Sequence, residues 1–361
     1  MKTAAAKSVC VVFVLVMFGG MPAVGQSQAD STSKWLWPTG KYGWAVGANA
    51  QNRGYILYTR DGGATWVNQV AADGMPMKLS GISAVSQTVA YAVGLACDGY
   101  CTILKTRHFG RTWQRLGSAA TLPDVDLSIV SAADAYVVWV VGPGGMILKT
   151  SNGGQTWTQQ AEGMFPTFDF QDVFALDRLH VWAVAADSIN NKALIIHTTN
   201  GGRRWEISGE AAIPGDVYGI LGVHAVDENT VWAAGVNGIV MLTTDGGKNW
   251  STSRTPVAFY HNNHVVAIDE QTAWVSCDYG HIFYTQDGGT TWTDQLASSF
   301  SKTTPYVMGI TAVDGTRAWA VSSNTDGTGY IYHTDNGQNW YQQTNPVVTT
   351  LWRISFARAL R

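Results

Sequence analysis

Thr243-Thr-Asp-Gly-Gly-Lys-Asn-Trp250 is one of seven copies of an eight-residue pattern that ends in tryptophan. The others are Thr59-Arg-Asp-Gly-Gly-Ala-Thr-Trp66, Thr106-Arg-His-Phe-Gly-Arg-Thr-Trp113, Thr150-Ser-Asn-Gly-Gly-Gln-Thr-Trp157, Thr198-Thr-Asn-Gly-Gly-Arg-Arg-Trp205, Thr285-Gln-Asp-Gly-Gly-Thr-Thr-Trp292 and His333-Thr-Asp-Asn-Gly-Gln-Asn-Trp340. Successive tryptophans are 47, 44, 48, 45, 42 and 48 residues apart. A steady period in the forties marks a propeller or solenoid.

A second repeat runs in phase with the first. It includes Gly43-Trp-Ala-Val-Gly47, Ala90-Tyr-Ala-Val-Gly94, Val231-Trp-Ala-Ala-Gly235 and Ala318-Trp-Ala-Val-Ser322. An apolar strand precedes each such run, around Ile82, Val173, Val223, Val265 and Ile310. Another leads into each box, as in Ile147-Leu-Lys-Thr150, and a fourth starts at the box tryptophan. Four short strands per unit, bounded by Gly, Asn or Asp, make a propeller blade. The fold class is all-β: a seven-bladed β-propeller with four antiparallel strands per blade. The repeated box falls on each third-to-fourth-strand turn. There, Asp or Asn folds back onto backbone N–H groups, glycines take positive φ, and the tryptophan covers apolar surface. The second box carries His108 in place of the acid, and the seventh carries His333 in place of the threonine.

Residues 34–357 read as a single propeller domain. Ring closure is open at this level. Lys34–Trp37 and Leu351-Trp-Arg-Ile-Ser-Phe356 both have the look of a first strand. Residues 1–25 read as a secretory signal peptide. Lys2 and Lys7 precede an apolar run from Val9 to Phe18, followed by small and turn-forming residues. Residues 26–33 form a short lead. The apolar run of about 10 residues falls short of the roughly 20 that span a bilayer. The expected address is secreted or periplasmic, with no transmembrane segment after cleavage. Cys10 lies inside the apolar run rather than at its end, which argues against lipid attachment there.

In an oxidising compartment Cys97 and Cys101, flanking Asp98-Gly-Tyr100, are expected to form a disulfide across a short hairpin, with free thiols as the alternative. Cys277 takes a small-residue slot of the repeat and reads as a buried thiol. No second Cys/His pair has zinc-ligand spacing, so no metal and no cofactor is expected.

The chain has 361 residues, 46% hydrophobic and 14% charged, with a formal net charge of −3. It lacks the basic face a nucleic-acid partner requires. Thirteen of the sixteen tryptophans hold posts in the two repeats, which leaves few for sugar stacking. Two groups of residues are candidates for binding. One is a basic cluster at the box edge of the first two blades, Arg60, Arg107 and Arg111 with Arg115 and His108, suited to an acidic protein surface. The other is the polar stretch from Ser251 to His264, with Arg254, Tyr260, His261 and His264. Catalytic residues are not assigned. Asp126, Asp169, Asp172, Asp216, Tyr218, Lys302, Tyr306 and Arg353 lie near the expected channel mouth, where a carboxylate pair would be needed for glycosidic chemistry.

The box pattern resembles the Asp-box, or BNR repeat. Sialidases share it but add an Arg-Ile-Pro-type motif that is absent here. Xyloglucan-degrading endoglucanases share it but use two propellers. The in-phase Trp-Ala-Val-Gly and Asp-Gly-Gly-x-x-Trp motifs, clearest where Thr230-Val-Trp-Ala-Ala-Gly235 leads into Gly238-Ile-Val-Met-Leu-Thr-Thr-Asp-Gly-Gly247, are similar to those of the photosystem II stability/assembly factor family. That resemblance covers about residues 34–357. It implies a non-catalytic scaffold in the thylakoid lumen or periplasm that binds a protein partner, and an arginine-rich face echoed around Arg107 and Arg111. A carbohydrate-active propeller (glycoside hydrolase, polysaccharide lyase or lectin) with a glycan ligand is the alternative.

Overall fold

The computed structural model describes residues 38–187, 189–257, 259–296, 305–347 and 349–358. The leader reading of residues 1–25, the lead 26–33, the candidate strand Lys34–Trp37 and Lys302 lie outside this set. The described residues form seven antiparallel sheets of four strands each. The first strands of successive sheets contact one another in an unbroken ring, so each sheet is a blade around a central axis. Among the described residues helix is confined to three short 3-10 turns, and no helix is long and apolar enough to cross a membrane.

Blade 1 settles the closure. Its second strand, Pro38–Ala48, pairs with Thr350–Arg358 on one side and Gly54–Thr59 on the other, with Trp44 opposite Ser355 and Tyr58. The carboxyl-terminal strand is therefore the innermost strand of the first blade.

The second strands are apolar throughout because both of their faces are covered by neighbouring blades. Trp44, Trp139, Trp232 and Trp274 have no exposed surface. The box tryptophan of the next blade meets this ring edge-on. Trp139 and Trp205 are 5.6 Å apart at 89°, and Trp182 and Trp250 are 5.9 Å apart at 80°. Such edge-to-face pairs contribute beyond their buried area.

The box tryptophan also donates its indole N–H backwards, to the residue three places after the preceding blade's tryptophan. Trp250 Nε1 donates to Ser208 Oγ at 3.0 Å, Trp340 to Gln295 Oε1 at 2.9 Å, and Trp66 to Gln343 Oε1 at 3.0 Å. Two steps of the series are broken. Blade 2 has Leu116 at this position and blade 3 has Gln160, and the Trp157 and Trp205 indole nitrogens are both buried without a hydrogen-bond partner.

The expected Cys97–Cys101 disulfide is not formed, and the register gives the reason. Cys97 pairs with Tyr100 and Gly94 with Thr102, so Cys97 and Cys101 fall on opposite faces of the hairpin. Cys101 packs towards blade 3 with Leu127, Val130 and Val140, whereas Cys97 packs towards blade 1. The Cys101 thiol is free and fully buried, and burial pushes its pKa up to about 11. Cys277 is likewise free and buried.

Candidate functional site

The repeated turns share one hydrogen-bond scheme. In blade 1, Thr59 Oγ1 accepts from the Gly63 amide at 2.8 Å. Asp61 Oδ1 accepts from the Thr65 amide at 2.9 Å and Oδ2 from the Thr65 hydroxyl at 2.6 Å. In blade 5, Asp245 makes the equivalent bonds to Asn249. These bonds from Asn249 hold the Asp245 pKa down at about 2. The seventh turn corrects the sequence alignment. Thr334, not His333, fills the threonine slot and donates to Asn336 Oδ1 at 3.2 Å. His333 sits one residue earlier and stacks on Trp319 at 4.6 Å, as Tyr58 does on Trp44 at 4.9 Å. This turn is one residue shorter than the others.

Blade 2 departs from the scheme in its charge. Thr106 Oγ1 still accepts from the Gly110 amide at 3.0 Å. His108 occupies the acid slot, so the turn has no carboxylate. Phe109 takes φ +59°, a left-handed conformation that Gly62 supplies in blade 1. A bulky residue there is strained, and such strain gathers at functional positions. Arg107, His108 and Arg111 are all exposed on this turn, and Arg60 is exposed on the turn of blade 1 beside it. Burial raises the Tyr58 pKa, and the Arg60 and Arg111 charges oppose that rise. Arg107 acts on Tyr91 and Lys105.

Most other surface arginines are paired, although Arg203, exposed on the blade 4 turn, is likewise without a carboxylate within ion-pair distance among the described residues. Arg53, Arg178, Arg204, Arg254 and Arg317 each pair with a carboxylate. Arg60, Arg107 and Arg111 have none within ion-pair distance among the described residues. Arg115 does not join them. Its guanidinium lies 3.6 Å from the Tyr100 ring centre, pairs with Asp98, and donates to the Cys97 and Tyr100 carbonyls on the opposite face.

The stretch from Ser251 to His264 is not one loop. Ser251–Arg254 is the outer strand of blade 5 and Asn262–Ala267 the innermost strand of blade 6. Its candidates therefore separate. Arg254 grips Asp216 through two bonds of 2.8 and 2.9 Å. Tyr260 leans on Tyr279 at 4.5 Å, and His261 stands edge-on to Tyr218 at 6.4 Å. His264 turns into the central channel, with Nε2 at 3.3 Å from Asp172 Oδ2 and Nδ1 at 3.0 Å from the Ile310 carbonyl. Asp172 is the one carboxylate lining the channel cavity among the described residues, so that cavity presents no acid pair.

With this geometry in place, comparison with known proteins is direct. A family model described as photosynthesis system II assembly factor YCF48 matches residues 34–169 and 220–359. The chain belongs to this family. The photosystem II assembly lipoprotein Ycf48 of Synechococcus sp. (strain CC9902) is 24% identical over 226 residues, which is 59% of this chain and 59% of that protein. The chain thus matches under two thirds of the length of that relative. A solved structure described as YCF48 bound to D1 peptide superposes with a TM-score of 0.61 at 17% identity, covering 84% of this chain and 96% of that one. YCF48 from Cyanidioschyzon merolae gives 0.55 at 17% identity, covering 76% and 86%. At these identities the two structures establish the shared fold.

One set of residues in this Ycf48-family propeller went unread in the sequence. Each innermost strand carries a three-residue pattern, as in Ile82-Ser-Ala84, Val130-Ser-Ala132 and Val223-His-Ala225. Where the middle residue is Ser or His its side chain bonds the next blade's backbone; Phe174 and Val266 hold the same position in blades 4 and 6. Ser355 Oγ accepts from the Ala84 amide at 3.1 Å, Ser83 from Ala132 at 3.1 Å, and Ser131 from Ala175 at 3.0 Å. The signal was a polar residue recurring inside an otherwise apolar strand.

Proposed function

We propose that this chain is a non-catalytic, extracytoplasmic propeller that binds an acidic protein segment through Arg60, Arg107 and Arg111, and that it serves photosystem II assembly. The observation that carries the reading is the loss of the acid from the blade 2 turn. Three exposed guanidinium groups on adjacent turns have no carboxylate within ion-pair distance among the described residues, although Asp61 shares the turn of Arg60, so an incoming carboxylate meets unpaired charges. Family membership supports the assembly role, and the D1 peptide of the relative's structure supports a peptide partner. The leader reading of residues 1–25 and the lipoprotein relative support an address outside the cytoplasm.

The test is fluorescence anisotropy with labelled peptides tiled across the D1 protein. Binding should weaken steeply with salt, and the Arg60→Ala/Arg107→Ala/Arg111→Ala variant should lose it while melting as the wild type does. Unchanged affinity in that variant would remove the assignment of this face.

A further inference from the structure

Six of the seven box turns close on a side chain of their own. In each, an Asp or Asn oxygen accepts the backbone N–H of the residue before the tryptophan. Asp61 accepts from Thr65, Asn152 from Thr156, Asn200 from Arg204, Asp245 from Asn249, Asp287 from Thr291 and Asn336 from Asn339, at 2.9 to 3.0 Å. Where the donor residue is Thr and the acceptor is Asp, the second carboxylate oxygen also takes the hydroxyl, at 2.6 Å in blades 1 and 6 alike. One N–H and one O–H on a single threonine thus receive the two oxygens of one carboxylate.

Blade 2 keeps these donors and lacks the acceptor. Thr112 stands where Thr65 and Thr291 do, and His108 stands where the acid does. The turn keeps its shape all the same. Phe109 and Gly110 take φ of +59° and +73°, as Gly62 and Gly63 take +73° and +88°. Thr106 Oγ1 accepts from the His108 and Gly110 amides at 3.2 and 3.0 Å, as Thr59 Oγ1 accepts from those of Asp61 and Gly63 at 3.3 and 2.8 Å. The Thr112 amide and hydroxyl bond to no other described residue, and neither does the His108 ring. Thr112 and His108 are exposed, as Thr65 and Asp61 are in blade 1, so the acid position is reached from solvent. Arg107 and Arg111, also exposed, are the chain neighbours of His108 and Thr112. Two donors arranged for a carboxylate therefore lie beside two arginines without a carboxylate of their own, and hydrogen bonds to an ionised acceptor are the stronger kind.

We propose that a side-chain carboxylate of the bound partner takes the acid position of the blade 2 turn, accepting the Thr112 N–H and O–H as Asp61 accepts those of Thr65. The partner completes the turn from outside. The inference rests on the arginine-face reading and adds a fixed point to it: the guanidinium charges draw the acidic segment in, and Thr112 holds one of its carboxylates in place. The planar head of an Asp or Asn side chain fills the same position in the other blades, which is why an acidic side chain is the occupant.

The test is fluorescence anisotropy on the whole protein with a hexa-aspartate peptide, a dye on its amino end and an amide on its carboxyl end, so that only side chains carry carboxylates. The wild type should bind it, and the Arg60→Ala/Arg107→Ala/Arg111→Ala variant should not. His108→Asn puts a neutral acceptor in the acid position, as Asn152 and Asn200 do in blades 3 and 4, and leaves every arginine charge unchanged. It should weaken binding about threefold, the scale of one net hydrogen bond. His108→Ala, which adds no acceptor, should bind as the wild type does. With threonine nitrogen isotopically labelled, the Thr112 amide resonance, identified by its loss in Thr112→Ser, should move downfield as the peptide is added. Wild-type affinity in His108→Asn, an equal loss in His108→Ala, or a Thr112 resonance unmoved by bound peptide overturns the proposal while the arginine face stands. Retained binding in the triple arginine variant, or no binding by the wild type, overturns both.

Discussion

The indole N–H of Trp66 donates to Gln343 Oε1 at 3.0 Å, across 277 residues of chain. This bond ties the turn of the first blade to the outer strand of the last. Gln343→Ala leaves a nearly buried N–H without its acceptor. It should cost about 1–2 kcal/mol, read as a lower midpoint in urea denaturation. An unchanged midpoint would show that packing of Trp66 alone closes the ring.

Leu116 is the inverse case. It lies beneath Gly154 as Gln343 lies beneath Gly63, and Trp157 has no acceptor there. Leu116→Gln should restore the bond and stabilise the protein by about 0.5–1.5 kcal/mol. Leu116→Met, of similar volume and without an acceptor carbonyl, should give no gain. Equal midpoints for the two variants would refute the assignment.

His108→Asp should separate stability from binding. The new carboxylate can accept from Thr112 as Asp61 does from Thr65, so the turn tightens and the melting temperature rises. The same carboxylate competes for Arg107 and Arg111. Affinity for an acidic peptide should fall about fivefold, the scale of one exposed ion pair. A tighter-binding variant would count against the arginine face.

Lys105 supplies a pH signature. Burial, reinforced by Arg107, lowers its pKa from 10.5 to about 8. Its Nζ donates to the Gly153 and Ala135 carbonyls at 2.9 and 3.2 Å. Between about pH 8 and pH 10.5 the unfolded chain holds a proton that the folded one has shed. Stability from this group therefore rises with pH across that window. The penalty of the buried charge is fully present below it. Urea midpoints at pH 7.5 and 9.5 should diverge less in Lys105→Met than in the wild type. Identical pH slopes would place the ammonium in solvent.

The blade count and the four-strand plan were legible because boxes such as Thr243–Trp250 repeat at high contrast. Ring closure was not, since Lys34–Trp37 and Leu351–Phe356 carry the same apolar pattern and only pairing with Trp44 distinguishes them. The disulfide expectation failed on side-chain alternation, which spacing along the chain does not report when a register shift intervenes before Cys97. The basic cluster was visible in the sequence as Arg60, Arg107, Arg111 and Arg115 recurring in and beside the first two boxes. Arg115 could not be excluded from it, because a long side chain chooses its face by its partners, here Asp98 and the Tyr100 ring. The inner-strand serines escaped notice because one hydroxyl in an apolar strand is a faint mark until the neighbouring blade supplies its amide.

Thr350 donates its hydroxyl to the Ala48 carbonyl, 302 residues earlier. Blade 1 therefore waits, one strand short, while the other six are made. Contacts of such long sequence separation form late. Until then the unfinished sheet exposes the edge of Pro38–Ala48, the very strand that the chain's last segment covers. A product cut before Thr350 would be left an open crescent with a free β edge, prone to mispairing and readily cleared by proteases.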